Sequence, residues 1–88
     1  MPVLCMFYGI IIKMYREIGG KHHFPHIHAE FSGHEAVVTF DGEIVEGEFP
    51  KNKLKLLVAW MEIHKDELEA NWKLLSQGEQ FFKIEPLK

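Results

Sequence analysis

Residues 26–31 alternate polar and apolar side chains and are followed at once by the turn signal Ser32-Gly33. Successive side chains of a β-strand point to opposite faces, so this alternation predicts a half-buried strand. The strand-like residues 34–40 come next, and Asp41-Gly42 after them is a strong signal for a two-residue hairpin turn. We therefore expect residues 26–31, 34–40 and 43–48 to be consecutive antiparallel strands, which restricts the fold to one that contains a β-meander.

Two-residue turns would determine the pairing of these strands, with Glu30 opposite Glu35 and Val38 opposite Val45. The face expected to meet a helix is mostly apolar and carries Ile27, Ala29, Phe31, Ala36, Val38, Phe40 and Val45. The other face is mostly polar and carries His26, His28, Glu30, Glu35, Thr39, Glu46 and Glu48, with Val37 and Ile44 among them. Directly opposed like charges are unfavourable. A cation, a shared proton, a protonated histidine or simple splaying of the two carboxylates would relieve the repulsion.

The segment Leu4–Arg16 is rich in Ile, Phe, Tyr and Met and is apolar on both faces over its first half. This pattern predicts one strand that is covered on both sides, in which Gly9 marks a bulge or the close approach of another backbone. One helix covers only one face. We therefore expect the other face to be buried by the C-terminal residues Phe81-Phe82, or by a second copy of the chain in a homodimer.

Residues 51–76 carry an apolar stripe with helical spacing, and Gly78 is a plausible stop signal. We predict a helix from Lys51 to Ser76; whether it breaks near His64 is left open. Together the segments predict an α+β fold, in which a small antiparallel β-meander of three to five strands carries one long C-terminal helix packed on one face. Residues 1–88 are expected to form a single domain.

The net charge of the chain argues against direct binding of nucleic acid. The net charge is −3 and the pI is about 6.0, so the basic footprint of a nucleic-acid-binding domain is missing. Cys5 is the only cysteine, which excludes an internal disulfide and indicates a small buried hydrophobe. The apolar start of the chain is too short to span a bilayer. These features predict a cytoplasmic protein that makes no membrane contact.

Chemistry is concentrated at residues 22–28, which contain four of the six histidines. His26, His28 and Glu30 would share one strand face, where they are candidate ligands of a divalent metal such as zinc. The two rings are expected to converge and to be reachable by solvent. The accessory candidates for further ligands are His23, Glu35 and His64. The spacing of His26 and His28 also occurs in strands that bind no metal.

His64 has a structural alternative, because it lies on the shoulder of the helix stripe near Trp60, Glu67 and Asn71. A half-buried histidine that bonds a backbone carbonyl or Glu67 is the favoured interpretation there. No serine or cysteine has the setting of a nucleophile, and neither a phosphate-binding glycine loop nor a zinc-finger cysteine pattern is present.

Several short motifs, spread over nearly the whole chain, carry a family resemblance. They are Met6-Phe7-Tyr8-Gly9-Ile10 with Met14-Tyr15, Pro25-His26-Ile27-His28-Ala29, Glu35-Ala36-Val37, Glu46-Gly47-Glu48-Phe49-Pro50, and Trp60 with His64, Leu68, Asn71 and Trp72. Their order and spacing resemble the small bacterial proteins grouped as domain-of-unknown-function family 4160. That family usually has Pro-Pro before the paired histidines, where this chain has Phe24-Pro25. The resemblance implies short cytoplasmic proteins without an established activity, often encoded beside another small protein as toxin–antitoxin pairs are.

Two functional hypotheses follow. The first is a binding domain, or a weak metal-dependent enzyme, centred on His26 and His28. The second is a component of a two-protein, toxin–antitoxin-like module that binds a small protein partner or a second copy through its acidic sheet and apolar first strand. An RNA-cleaving toxin with histidines as general acid and base is chemically feasible. Its acidic histidine face would, however, repel phosphate unless lysines near Lys51 made that contact.

Overall fold

The computed structural model of the chain describes residues 3–15 and 24–87. Five strands form one antiparallel sheet whose order follows the chain, and two helices come after them. The elements are β1 (Val3–Phe7), β2 (Ile10–Lys13), β3 (His26–Phe31), β4 (His34–Thr39), β5 (Ile44–Gly47), α1 (Lys51–Ile63) and α2 (Lys65–Ser76). The α+β class and the β-meander are confirmed.

The β3–β4 hairpin has the predicted register. Glu30 pairs with Glu35 and His26 pairs with Thr39, as two-residue turn geometry requires. Ser32 and Gly33 both have positive φ, 45° and 84°, which is the conformation of a type I′ turn. The twist of that turn matches the twist of the flanking strands, so the register follows directly from the turn.

The prediction of a single strand over Leu4–Arg16 is wrong. The described part of this segment is the hairpin of β1 and β2, in which Phe7 pairs with Ile10 around Tyr8-Gly9. Tyr8 adopts φ 49° and Gly9 adopts φ 80°, so a tyrosine occupies a turn position that usually holds Asn, Asp or Gly. The neighbour that approaches Gly9 is a side chain rather than the expected backbone, because a Cβ there would lie 3.0 Å from the Phe31 ring.

The predicted pairing of Val38 with Val45 is also wrong, because Val38 pairs with Ile44. The Thr39 amide donates to Glu43 O at 2.9 Å, so the loop contains three residues and ends at Gly42 with φ 89°. A type I turn followed by a left-handed glycine is a common three-residue hairpin loop. A register irregularity then leaves Val45, which was placed on the apolar face, 44% exposed.

Two helices replace the one long helix that was predicted. The break falls at His64, which has φ −108° and ψ 23°. Asp66 and Glu67 lie in the first turn of α2, where negative charge favours a helix start. The stop near Gly78 is confirmed, since its φ is 76° and the next amide donates back to Leu74 O. Neither helix, nor any other in the described ranges, has the length and apolar character to cross a bilayer.

The core is not a simple packing of helices on one face of the sheet, because the C-terminal segment also contributes to it. Ile84 is buried, and its amide donates to Leu4 O at 3.1 Å along the edge of β1. Asn71 exchanges two hydrogen bonds with the Phe82 backbone, and the Trp60 indole donates to Glu85 O at 2.7 Å. The C-terminal segment therefore covers β1 through Ile84, whereas Phe82, one of the two residues predicted to do so, is exposed.

Buried helix residues should dominate the stability of the fold. Met61 and Leu68 are both buried in the core, whereas Ile63 is largely exposed. We predict that Met61→Ala and Leu68→Ala each lower the free energy of unfolding by about 2–5 kcal/mol, the usual cost of emptying a packed site. Ile63→Ala is the control. The measurement is the midpoint of urea denaturation. If all three variants had the midpoint of the parent, the buried faces of the two helices would be misassigned.

Candidate functional site

The sheet brings the paired histidines of β3 together as predicted. The ring centroids of His26 and His28 lie 5.3 Å apart with an interplanar angle of 65°. Side chains two residues apart on a strand share a face, and the rings therefore converge rather than diverge. Glu30 continues the same row.

His26 is buried, and the expectation that both rings are reachable by solvent fails for this residue. Only 1% of His26 is exposed. Its ring packs against Phe24 and Trp72, with centroid distances of 5.4 and 5.1 Å. Its Nδ1 lies 2.7 Å from the backbone oxygen of Phe24. A carbonyl oxygen only accepts, so Nδ1 carries the proton that makes this hydrogen bond.

His28 occupies a different environment, in the middle of the sheet. It pairs with Lys13 on one side and with Val37 on the other, and it is partly exposed. The Tyr15 ring packs edge-on against its imidazole at 4.5 Å. Of the two histidines, His28 is therefore the more exposed one in the described residues.

Glu30 forms a salt bridge with Lys13 of the neighbouring strand β2. This hydrogen bond raises the pKa of Lys13 above its ordinary value. Lys13 thus places a positive charge on Glu30, one of the two opposed carboxylates, while the other, Glu35, is exposed. Lys13 was not identified from the sequence because the segment containing it was interpreted as one continuous strand rather than as a hairpin.

The structural interpretation of His64 is confirmed. Its Nδ1 lies 2.6 Å from Glu67 Oε1, and its ring packs against Trp60 at 5.4 Å. Within the described residues, no group of three or more His, Cys, Asp and Glu side chains is arranged to hold a metal. His23, the remaining accessory candidate, lies outside those residues.

A groove of about 460 Å³ opens beside the buried ring of His26 and was not anticipated from the sequence. It is lined by Phe24, Pro25, Thr39, Phe40, Asp41, Lys65, Glu69 and Trp72. The rings of Phe40 and Trp72 meet nearly at right angles, 79°, with centroids 6.1 Å apart. The lining comes from three separate parts of the chain. Of its aromatic residues, the strand pattern of the sequence places Phe40 on the sheet face that was expected to meet a helix.

Comparison with known proteins identifies a family for this chain. The family model described as domain of unknown function (DUF4160) matches residues 9–73. No curated protein and no solved structure matches the chain. The matched span covers more than half of the sequence and includes both paired histidines and the groove residue Trp72. The chain therefore belongs to the DUF4160 family.

Proposed function

We propose that this protein is a binding domain and that its ligand, a small organic cation or a side chain carrying one, occupies the groove beside His26. The observation that carries the proposal is the pair of perpendicular rings, Phe40 and Trp72, in an open groove that also contains two carboxylates. Ligand sites are typically apolar concavities with a few placed polar groups.

The aromatic walls suit a positively charged group. Phe40 and Trp72 are only partly buried, and Phe24, at 37% exposure, adds a third ring. The face of an aromatic ring is electron-rich and attracts a cation lying within about 6 Å of its centre. Perpendicular rings can contact such a cation from two sides. This geometry favours an ammonium or guanidinium group over an anion.

The charges around the groove favour the same ligand class. Among the described residues that line it, Asp41 and Glu69 carry carboxylates and Lys65 carries a positive charge. The Nζ atom of Lys65 lies 4.0 Å from Oδ1 of Asp41, whose side chain is 85% exposed. An ion pair this exposed is weak because water screens it. The described lining of the groove therefore carries more negative than positive charge, which a bound cation would complement.

His26 contributes to the proposed site indirectly. It does not line the groove, but its buried ring packs against two residues that do, Phe24 and Trp72. The hydrogen bond from Nδ1 to Phe24 O joins the Phe24-Pro25 segment to the start of β3. Side chains that are already fixed before binding lose less conformational entropy when the ligand binds. His26 is thus a positioning residue.

The two tryptophans allow a direct test of the groove. Trp72 lines it, whereas Trp60 is fully buried elsewhere and donates its indole N–H to Glu85 O. We predict that titration with choline shifts the Trp72 indole signal in ¹H–¹⁵N spectra and leaves the Trp60 signal in place. The uncharged isostere 3,3-dimethylbutanol should produce a clearly smaller shift, because it lacks the cation.

Matched variants separate charge from shape. Glu69→Gln should weaken choline binding several-fold, while Glu62→Gln, an exposed change on α1 outside the groove, should not. Phe40→Leu should weaken binding too, with Phe82→Leu as its control. Equal shifts for choline and the neutral isostere would contradict a cation site. If choline shifted neither indole signal, the proposal of a ligand site in this groove would be contradicted.

A divalent-metal site at His26 and His28 is a second candidate, favoured by the convergence of the two rings. In the neutral form of His26 the proton on Nδ1 leaves Nε2 as the atom with a lone pair for a metal. Zinc requires about four ligands. Because Glu30 is paired with Lys13, water and His23 are the candidates for the remaining positions.

Zinc titration of the protein without a histidine tag tests this second candidate. Replacing a residue that hydrogen-bonds to a metal ligand typically lowers metal affinity about 10–100-fold. Replacing a ligand itself should therefore lower zinc affinity about tenfold or more. We expect this loss in His26→Gln and in His28→Gln. His34→Gln, an exposed change at the start of β4, is the control. Zinc binding by His28→Gln that equals the parent would show that the pair is not a metal site.

A further inference from the structure

The two edge strands of the sheet differ in how they are covered. Along β1, the C-terminal segment contributes a backbone hydrogen bond from Ile84 to Leu4 and buries Ile84. Along β5, the only strand that pairs with it in the described residues is β4. An edge strand presents a row of backbone N–H and C=O groups that can pair with another chain. The outer edge of β5 is therefore the more accessible docking edge.

The side chains around this edge are acidic. Glu43 and Glu48 flank β5 and are exposed, and no salt bridge reaches either of them within the described residues. Between Glu30 and Pro50 the sequence contains no Lys or Arg. The exposed Val45 gives the same edge an apolar contact. An extended segment that docks here would meet negative charge at both ends, with the exposed Val45 and the exposed Glu46 between them.

This charge pattern argues against a second copy of the chain as the occupant. A two-fold contact brings the same surface of both copies together. Pairing β5 with itself would place Glu43 and Glu48 against the acidic residues of the other copy, and opposed like charges destabilise a sheet. Complementary charge, in contrast, favours both encounter and correct register.

We propose that the outer edge of β5 binds an extended segment of a second protein, one that alternates Lys or Arg with β-branched residues, as a sixth strand of the sheet. Backbone hydrogen bonds would supply affinity, and contacts from basic side chains to Glu43 and Glu48 would supply selectivity. This inference concerns a different part of the molecule from the groove and does not depend on cation binding there.

A synthetic peptide that alternates lysine with valine and threonine is the probe. Added to ¹⁵N-labelled protein, it should shift the amide signals of Ile44–Gly47 and leave those of β1 unchanged. A matched peptide with glutamate in place of lysine should not bind. Combining Glu43→Gln with Glu48→Gln should weaken binding about tenfold, and Glu62→Gln combined with Glu79→Gln should leave it unchanged. Added salt should weaken it as well.

Three outcomes would overturn the proposal. The glutamate peptide could bind as well as the lysine peptide, or the lysine peptide could leave the amides of β5 unchanged. The third is self-association, in which dilution of the protein alone shifts the amides of β5 and sedimentation equilibrium gives a dimer. That result would identify a second copy as the occupant. The signal of the Trp72 indole, recorded in the same spectra, reports the groove separately.

Discussion

The tight turn at Ser32-Gly33 determines where the side chains of the central hairpin lie. Both residues have positive φ, and the strand pairs follow from the turn without interruption. A slip of one residue would transfer Ile27 and Ala29 from the core to the opposite face. The same register places His26 at the start of β3, opposite Thr39, where the Trp72 ring of α2 packs against it. The core and the candidate site therefore depend on one turn.

Burial of His26 joins three parts of the chain. A polar ring that leaves water requires hydrogen-bond partners, and Phe24 O supplies one of them. The ring then serves as a packing surface for Phe24, close by in the sequence, and for Trp72, which lies in α2. The groove that we propose as a ligand site thus has two walls, Phe24 and Trp72, that pack against a histidine outside its lining. In the proposed cation site, His26 would therefore position the residues that contact the ligand rather than contact it directly.

Local turn chemistry explains which parts of the fold could be predicted. Ser32-Gly33 gave the correct register, whereas Asp41-Gly42 is compatible with two loop lengths, and the structure has the three-residue one. Tyr8-Gly9 was missed as a turn because tyrosine rarely adopts positive φ. In the site, the convergence of the histidines followed from the period of a strand, but the burial of His26 did not. That burial depends on a helix distant in sequence, which no local pattern reveals.

Nitrogen NMR of the His26 ring tests the central claim, that this histidine is a buried positioning residue, most directly. In the neutral ring the proton should be on Nδ1, where it is donated to Phe24 O, and the ring protons should show through-space contacts to the Trp72 indole. A proton on Nε2, or a ring that exchanges freely with solvent and shows no contact to that indole, would contradict the account.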